Sequence, residues 1–103
     1  MSWEETHRRT DILREVTATA EFRHDGELPW KDEWAELFGD REGLLAALRY
    51  RHQLAMSAQL DPDLPMEAYR ERVSVLGERS RGVRRILARY AGGSYEGVAR
   101  ASA

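Results

Sequence analysis

The sequence predicts an all-α protein: a small helical bundle of three long helices and one short helix. Three observations carry that reading. Met66, Tyr69, Val73, Leu76, Ser80, Val83, Leu87 and Tyr90 follow steps of 3, 4, 3, 4, 3, 4 and 3, which keep one stripe on one side of a helix. No stretch alternates apolar and polar residues long enough to form a half-buried strand. Capping residues and helix breakers punctuate the chain at intervals that suit helices.

The first helix is expected over 3–22. Ser2-Trp3-Glu4-Glu5 has the S-x-x-E form of a capping box, and Ile12, Leu13, Val16 and Ala20 follow at helical spacing. Thr6, Thr10, Thr17 and Thr19 lower its intrinsic propensity, so it relies on packing. His24-Asp25-Gly26 ends it. A short helix over 30–38 comes next, with Pro29 as its first residue and Trp30, Trp34, Leu37 and Phe38 on one dense apolar face. Gly39 closes that helix and Asp40 caps the following one.

The third helix, 41–60, carries Leu44, Leu45, Leu48, Ala55, Met56 and Leu60 as a wide stripe containing His52. Asp61-Pro62-Asp63-Leu64-Pro65 stops it, because proline disfavours the helical state at the residue before it. So short a turn predicts that the third and fourth helices form an antiparallel hairpin, with Met66 to Leu76 packed on the third helix as ordinary core. Gly77 and Gly82 would each cost about 1 kcal/mol inside a helix. A break around Gly77 to Gly82 is the competing reading; the unbroken phase favours one helix over 66–90. Such a helix, about 37 Å long against about 30 Å for its partner, overhangs the hairpin. Val83 to Tyr90 then needs cover from the first helix or from another subunit.

A chain of 103 residues, 42% hydrophobic and 33% charged, suits one globular domain, expected over 1–93 with a mobile tail over 94–103. The absence of cysteine removes disulfides, thiolate metal sites and thiol nucleophiles. No apolar run approaches a membrane span and the acidic start does not resemble a signal peptide, so no membrane association and a cytoplasmic location are expected. Residues 1–63 hold 14 acidic and 8 basic groups, a net of −6, whereas residues 64–103 hold 4 and 8, a net of +4. That dipolar distribution suits charge-steered association, including self-association.

Little in the chain points to catalysis. None of the nucleophile-elbow, zinc-protease, P-loop or dinucleotide-binding patterns occurs, and Asp32, Glu33 and Glu36 read as a solvated helix face. His7 with Asp11 has metal-ligand spacing that solvated pairs share, and His24 falls in a loop. The protein is expected not to be an enzyme and to need no cofactor or metal. Arg79, Arg81, Arg84, Arg85 and Arg89 form the one local charge cluster without an acid among them, with Arg81, Arg85 and Arg89 on one helical face. They could contact phosphates, or pair with the acidic half of this chain or of a second copy. Trp30, Trp34 and His52 are the candidate lining of a small-molecule pocket.

Phe38-Gly39-Asp40-Arg41-Glu42-Gly43-Leu44-Leu45 resembles the F-G-S-K-E-x-L-L helix junction of TetR-type regulators, and Arg9-Thr10-Asp11-Ile12-Leu13 is similar to the start of such a domain. The span between them has no counterpart of the recognition helix, so the resemblance implies no DNA contacts. More broadly, the Trp3–Thr10 opening and the run from Phe38 to Leu48 resemble small uncharacterised helical proteins of high-GC Gram-positive bacteria. That resemblance implies no activity; the bias to 15 arginines against one lysine agrees with a GC-rich genome. The leading expectation is a non-enzymatic protein–protein interaction module that self-associates as a homodimer, with Val83, Leu87, Tyr90, Arg81, Arg85 and Arg89 as candidate contacts. The alternative is a nucleic-acid-binding accessory protein using the ridge from Arg79 to Arg89.

Overall fold

A computed structural model describes residues 2–91, and every regular element among them is helical. The expected tail over 94–103 lies outside the described residues.

Helix α1 spans Trp3–Arg23. The Ser2 hydroxyl accepts the Glu5 amide at 3.1 Å and donates to the Glu5 carboxylate at 3.2 Å. Its threonines are accommodated by back-bonding: the Thr6, Thr10 and Thr17 hydroxyls each donate to the carbonyl four residues earlier. His24, at φ 55°, is the left-handed cap that ends the helix.

The expected helix over 30–38 starts later than its sequence suggests. Lys31 is extended, a 3-10 turn covers Asp32–Trp34, and α2 is the short helix Ala35–Phe38. Pro29 is therefore not a first helical residue. The segment before Asp32 runs non-helically because it carries Leu28 into the core, where that side chain is buried beside Trp34 and Phe38. Gly39, at φ 82°, turns the chain into α3, Arg41–Gln59, whose first turn is capped by Asp40 accepting the Gly43 amide at 2.8 Å. Position 43 has to be glycine, since a Cβ there would lie 1.9 Å from the Phe38 carbonyl oxygen.

The long helix expected over 66–90 is two helices, α4 (Met66–Arg79) and α5 (Arg81–Arg89), broken at Ser80. The break has a distant cause. In a continuous helix the Gly82 and Val83 amides would donate to carbonyls four residues back; here both donate to the Glu21 carboxylate of α1, each at 2.8 Å. An acceptor 61 residues away thus serves as the N-terminal cap of α5. Gly82 permits the close crossing: a Cβ there would sit 2.1 Å from the Ala20 carbonyl oxygen.

The core follows from this crossing. Ile12, Leu13, Val16 and Ala20 of α1 meet Val83, Ile86 and Tyr90 of α5 and Leu44, Leu45 and Leu48 of α3, with Trp34 and Phe38 closing one end. The buried face of α5 includes Ile86, with Leu87 partly covered at its edge, so the phase shifts slightly across Ser80. Arg9 ties the ends together by donating to the Leu37 carbonyl at 2.7 Å.

The pairing of helices differs from expectation in its most consequential respect. α5 packs on α1, so Val83 to Tyr90 is covered within the chain. The expectation that Met66 to Leu76 is core against α3 is overturned: Met66 and Val73 are exposed, Tyr69 is half-buried, and only Leu76 of that stripe is buried. α3 and α4 follow one another through a short turn and flank a groove lined by Met56 of α3 and by Val73 and Gly77 of α4. The physical reason is the redirection at Ser80. Once Glu21 and Ala20 hold α5 on α1, α4 must leave the core at an angle, and the inward leucines of α3 end at Leu48.

Candidate interaction surface

From Arg49 to Val75 no residue is buried, although the stretch contains the second half of α3 and most of α4. These elements form an arm that leaves the core. Among its charged residues it exposes five large apolar ones: Tyr50 at 63%, Leu54 at 53%, Met66 at 65%, and Val73 and Val75 less fully. Scattered exposed apolar residues need no explanation, but this grouping on one projecting unit does. The turn between the two helices is locally well made, with the Asp61 carboxylate accepting the Asp63 amide at 2.9 Å and its carbonyl accepting the Leu64 amide. The exposed α4 is therefore entered by an ordered turn.

At the base of the arm the groove between α3, α4 and α5 encloses about 380 Å³. Met56 and Val73 supply apolar walls, Gly77 part of the floor, and Glu78, Arg81 and Arg84 the charged lining. The missing side chain at Gly77 makes room for Arg84, whose Nη1 would lie 2.7 Å from a Cβ at that position.

The arginine cluster is divided in its duties. Arg85 donates to the His24 carbonyl at the end of α1, and Arg89 pairs with Glu27 at 2.6 Å. These two members of the expected ridge are engaged by the loop that follows α1, in the acidic half of this same chain. Arg79 and Arg81 face solvent, and Arg81 belongs to the groove. Of the apolar candidates, Val83 and Tyr90 are each 3% exposed in the core and Leu87 packs against it. Their cover comes from within the chain.

Trp30 and Trp34, two of the pocket candidates, lie together at one end of the core. Trp34 is buried with Trp30 edge-on at 6.3 Å, and the cations of Lys31 and Arg41 each lie 5.5 Å from a tryptophan ring. His52, on α3, is half-buried in the fields of Arg84 and Glu21. Burial, and then the Arg84 charge, hold its pKa below the ordinary histidine value, with Glu21 opposing them.

Glu21 and the exposed arm are the features that sequence reasoning missed. Nothing local marks Glu21 as a cap for a helix that begins 60 positions later. The arm left a faint trace, in that Tyr50 and Leu54 fall off the main α3 stripe and so have no inward-facing role. No described helix is long and apolar enough to cross a membrane. The chain matches no family model, no curated protein and no solved structure.

Proposed function

We propose that the protein is a non-enzymatic helical interaction module that self-associates as a homodimer through the arm formed by the second half of α3 and by α4. The observation that carries this reading is the unburied stretch from Arg49 to Val75 with its exposed Tyr50, Leu54, Met66 and Val73. A 14-residue helix containing Val73, Val75 and Gly77 is marginal in water on its own, because helix nucleation is costly and these residues are weak helix formers. Covering its apolar side chains stabilises it, at about 1.5–3 kcal/mol for each one fully buried.

A second copy is the favoured partner on grounds of charge. α4 carries Glu67, Glu71 and Glu78 against Arg70, Arg72 and Arg79, so two copies of the arm meet without a net repulsion of like charge. The wider molecule adds the acidic first half and the basic second half already noted. Sedimentation equilibrium at micromolar concentration tests the reading: dimers are expected for the native chain and monomers for Val73→Glu. A native chain that stays strictly monomeric ends the proposal.

The nucleic-acid reading draws less support, since Arg85 and Arg89 are committed to His24 and Glu27. Its check is a fluorescence titration with duplex and single-stranded DNA at about 50 and about 200 mM salt, where phosphate contacts by a free ridge would show strong salt dependence.

A further inference from the structure

The groove at the base of the arm has a lining whose charge is unanswered within the chain. Arg81 and Arg84 form no ion pair among the described residues, and they flank the apolar walls made by Met56 and Val73. Glu78 leaves the lining with a net charge of +1. The chemistry that fits is a bulky apolar group with a carboxylate beside it.

This chain displays such a group. Trp3 is 74% exposed on the first turn of α1, where its ring rests against His7 at 3.9 Å, and Glu4 and Glu5 follow it directly. The Glu5 carboxylate is held by the Ser2 hydroxyl at 3.2 Å, whereas Glu4 forms no ion pair among the described residues and is the carboxylate on offer beside the ring. Phe22 is also highly exposed, but its neighbours are Glu21, which is committed to capping α5, and Arg23, so it brings no free carboxylate.

Trp3 cannot reach the groove of its own chain. The groove lies at the end of α1 marked by Glu21, which holds the start of α5 beside Arg81. Trp3 is at the opposite end, and the 18 positions between them span about 27 Å of helix. The knob and groove of one molecule are therefore both available to other copies. A two-fold arrangement places the knob of each chain in the groove of its partner and closes without leaving either free.

We infer that the first turn of α1, with Trp3 seated between Met56 and Val73 and with Glu4 facing Arg81 and Arg84, is the element of a second copy that enters this groove. The inference rests on the self-association proposed above and names the contact that orients it. Tryptophan is favoured at such positions because a rigid aromatic filling a desolvated pocket dominates interface energetics, while the surrounding charges select the partner and speed encounter.

Charge exchange tests it. One variant carries Glu4→Arg, so its knob and groove are both basic. The other carries Arg81→Glu and Arg84→Glu, so both are acidic. Sedimentation equilibrium on each variant by itself is expected to show a dissociation constant raised on the order of a hundredfold, since juxtaposed like charges cost several kcal/mol. An equimolar mixture is expected to recover dimers, because in the mixed dimer both contacts pair opposite charges. Circular dichroism confirms that each variant is folded before mixing. Native and variant chains that all dimerise alike overturn the knob-and-groove contact and leave self-association standing. Two monomeric variants that fail to recover on mixing also overturn it. A native chain that is itself monomeric removes the self-association reading along with the contact.

Discussion

Replacing Gly82 by alanine reverses the effect that helix propensity would give. In an exposed helix interior the change is worth about 1 kcal/mol in favour of alanine. Here the added methyl group would lie 2.1 Å from the Ala20 carbonyl oxygen, 2.4 Å from its carbon and 2.8 Å from the Glu21 Cα. All three are backbone atoms of α1, so the clash is relieved by moving one helix off the other. Overpacking of this kind costs about 1–3 kcal/mol. Displacing α5 also weakens the two hydrogen bonds from the Gly82 and Val83 amides to Glu21, and bonds to a charged acceptor are worth about 1.5–3 kcal/mol. Set against the propensity gain, the net loss is roughly 3 kcal/mol, which for a chain of this size lowers the melting temperature by about 12–24 °C. Urea unfolding followed by far-ultraviolet circular dichroism, at one protein concentration for both chains, measures it. A Gly82→Ala protein as stable as the native chain, or more so, would refute the close crossing.

Gly77→Ala is the companion experiment with the opposite expected sign. Its methyl group meets the movable end of Arg84 rather than backbone, so stability should stay level or rise by up to about 1 kcal/mol in the same urea assay. Glu21→Ala removes both acceptors at the start of α5 and should lower stability by about 2 kcal/mol; hydrogen exchange should locate the loss in the first turn of α5. His52 makes stability depend on pH. Burial and Arg84 depress its folded-state pKa, so the unfolded chain binds its proton first. The contribution is present above the unfolded value of about 6.5, declines as pH falls from there toward the lower folded value, and then levels off. Urea midpoints at about pH 7.5 and about pH 5.5 should differ more for the native chain than for His52→Gln, and equal differences would exclude His52 as the source.

The parts of the fold written locally were legible. Ser2, Asp40 and Gly39 act within four residues of themselves, and the structure uses all three as their sequence contexts imply. The leucines Leu44, Leu45 and Leu48 and the α1 stripe of Ile12, Leu13, Val16 and Ala20 face the core as their spacing requires. What was not legible depends on pairs far apart in the chain. The 3-4 spacing of the sequence carries no local mark of the break at Ser80, and the local hydrogen bonding nearly continues there, with the Arg84 amide donating to the Ser80 carbonyl at 2.8 Å. The kink is imposed by Glu21 and Ala20, and no pattern within 66–90 records them.

From that one omission the rest follows. A straight helix would have laid Met66 to Leu76 on α3 and left Val83 to Tyr90 uncovered. The kink lays α5 on α1 and leaves α4 uncovered, so the candidate surface moves from Val83, Leu87 and Tyr90 to the arm. The arginines illustrate the same point. Their helical spacing is real, but Arg85 and Arg89 are occupied by His24 and Glu27, partners supplied by a loop whose position the spacing does not encode.

Amide hydrogen exchange at two protein concentrations addresses the central claim, that the arm owes its order to a second copy. Amides from Arg49 to Arg79 are expected to exchange fast in dilute protein and to become protected as concentration rises, while α1 and α5 are protected throughout. Exchange in the arm that is independent of concentration, whether uniformly fast or uniformly slow, would contradict it.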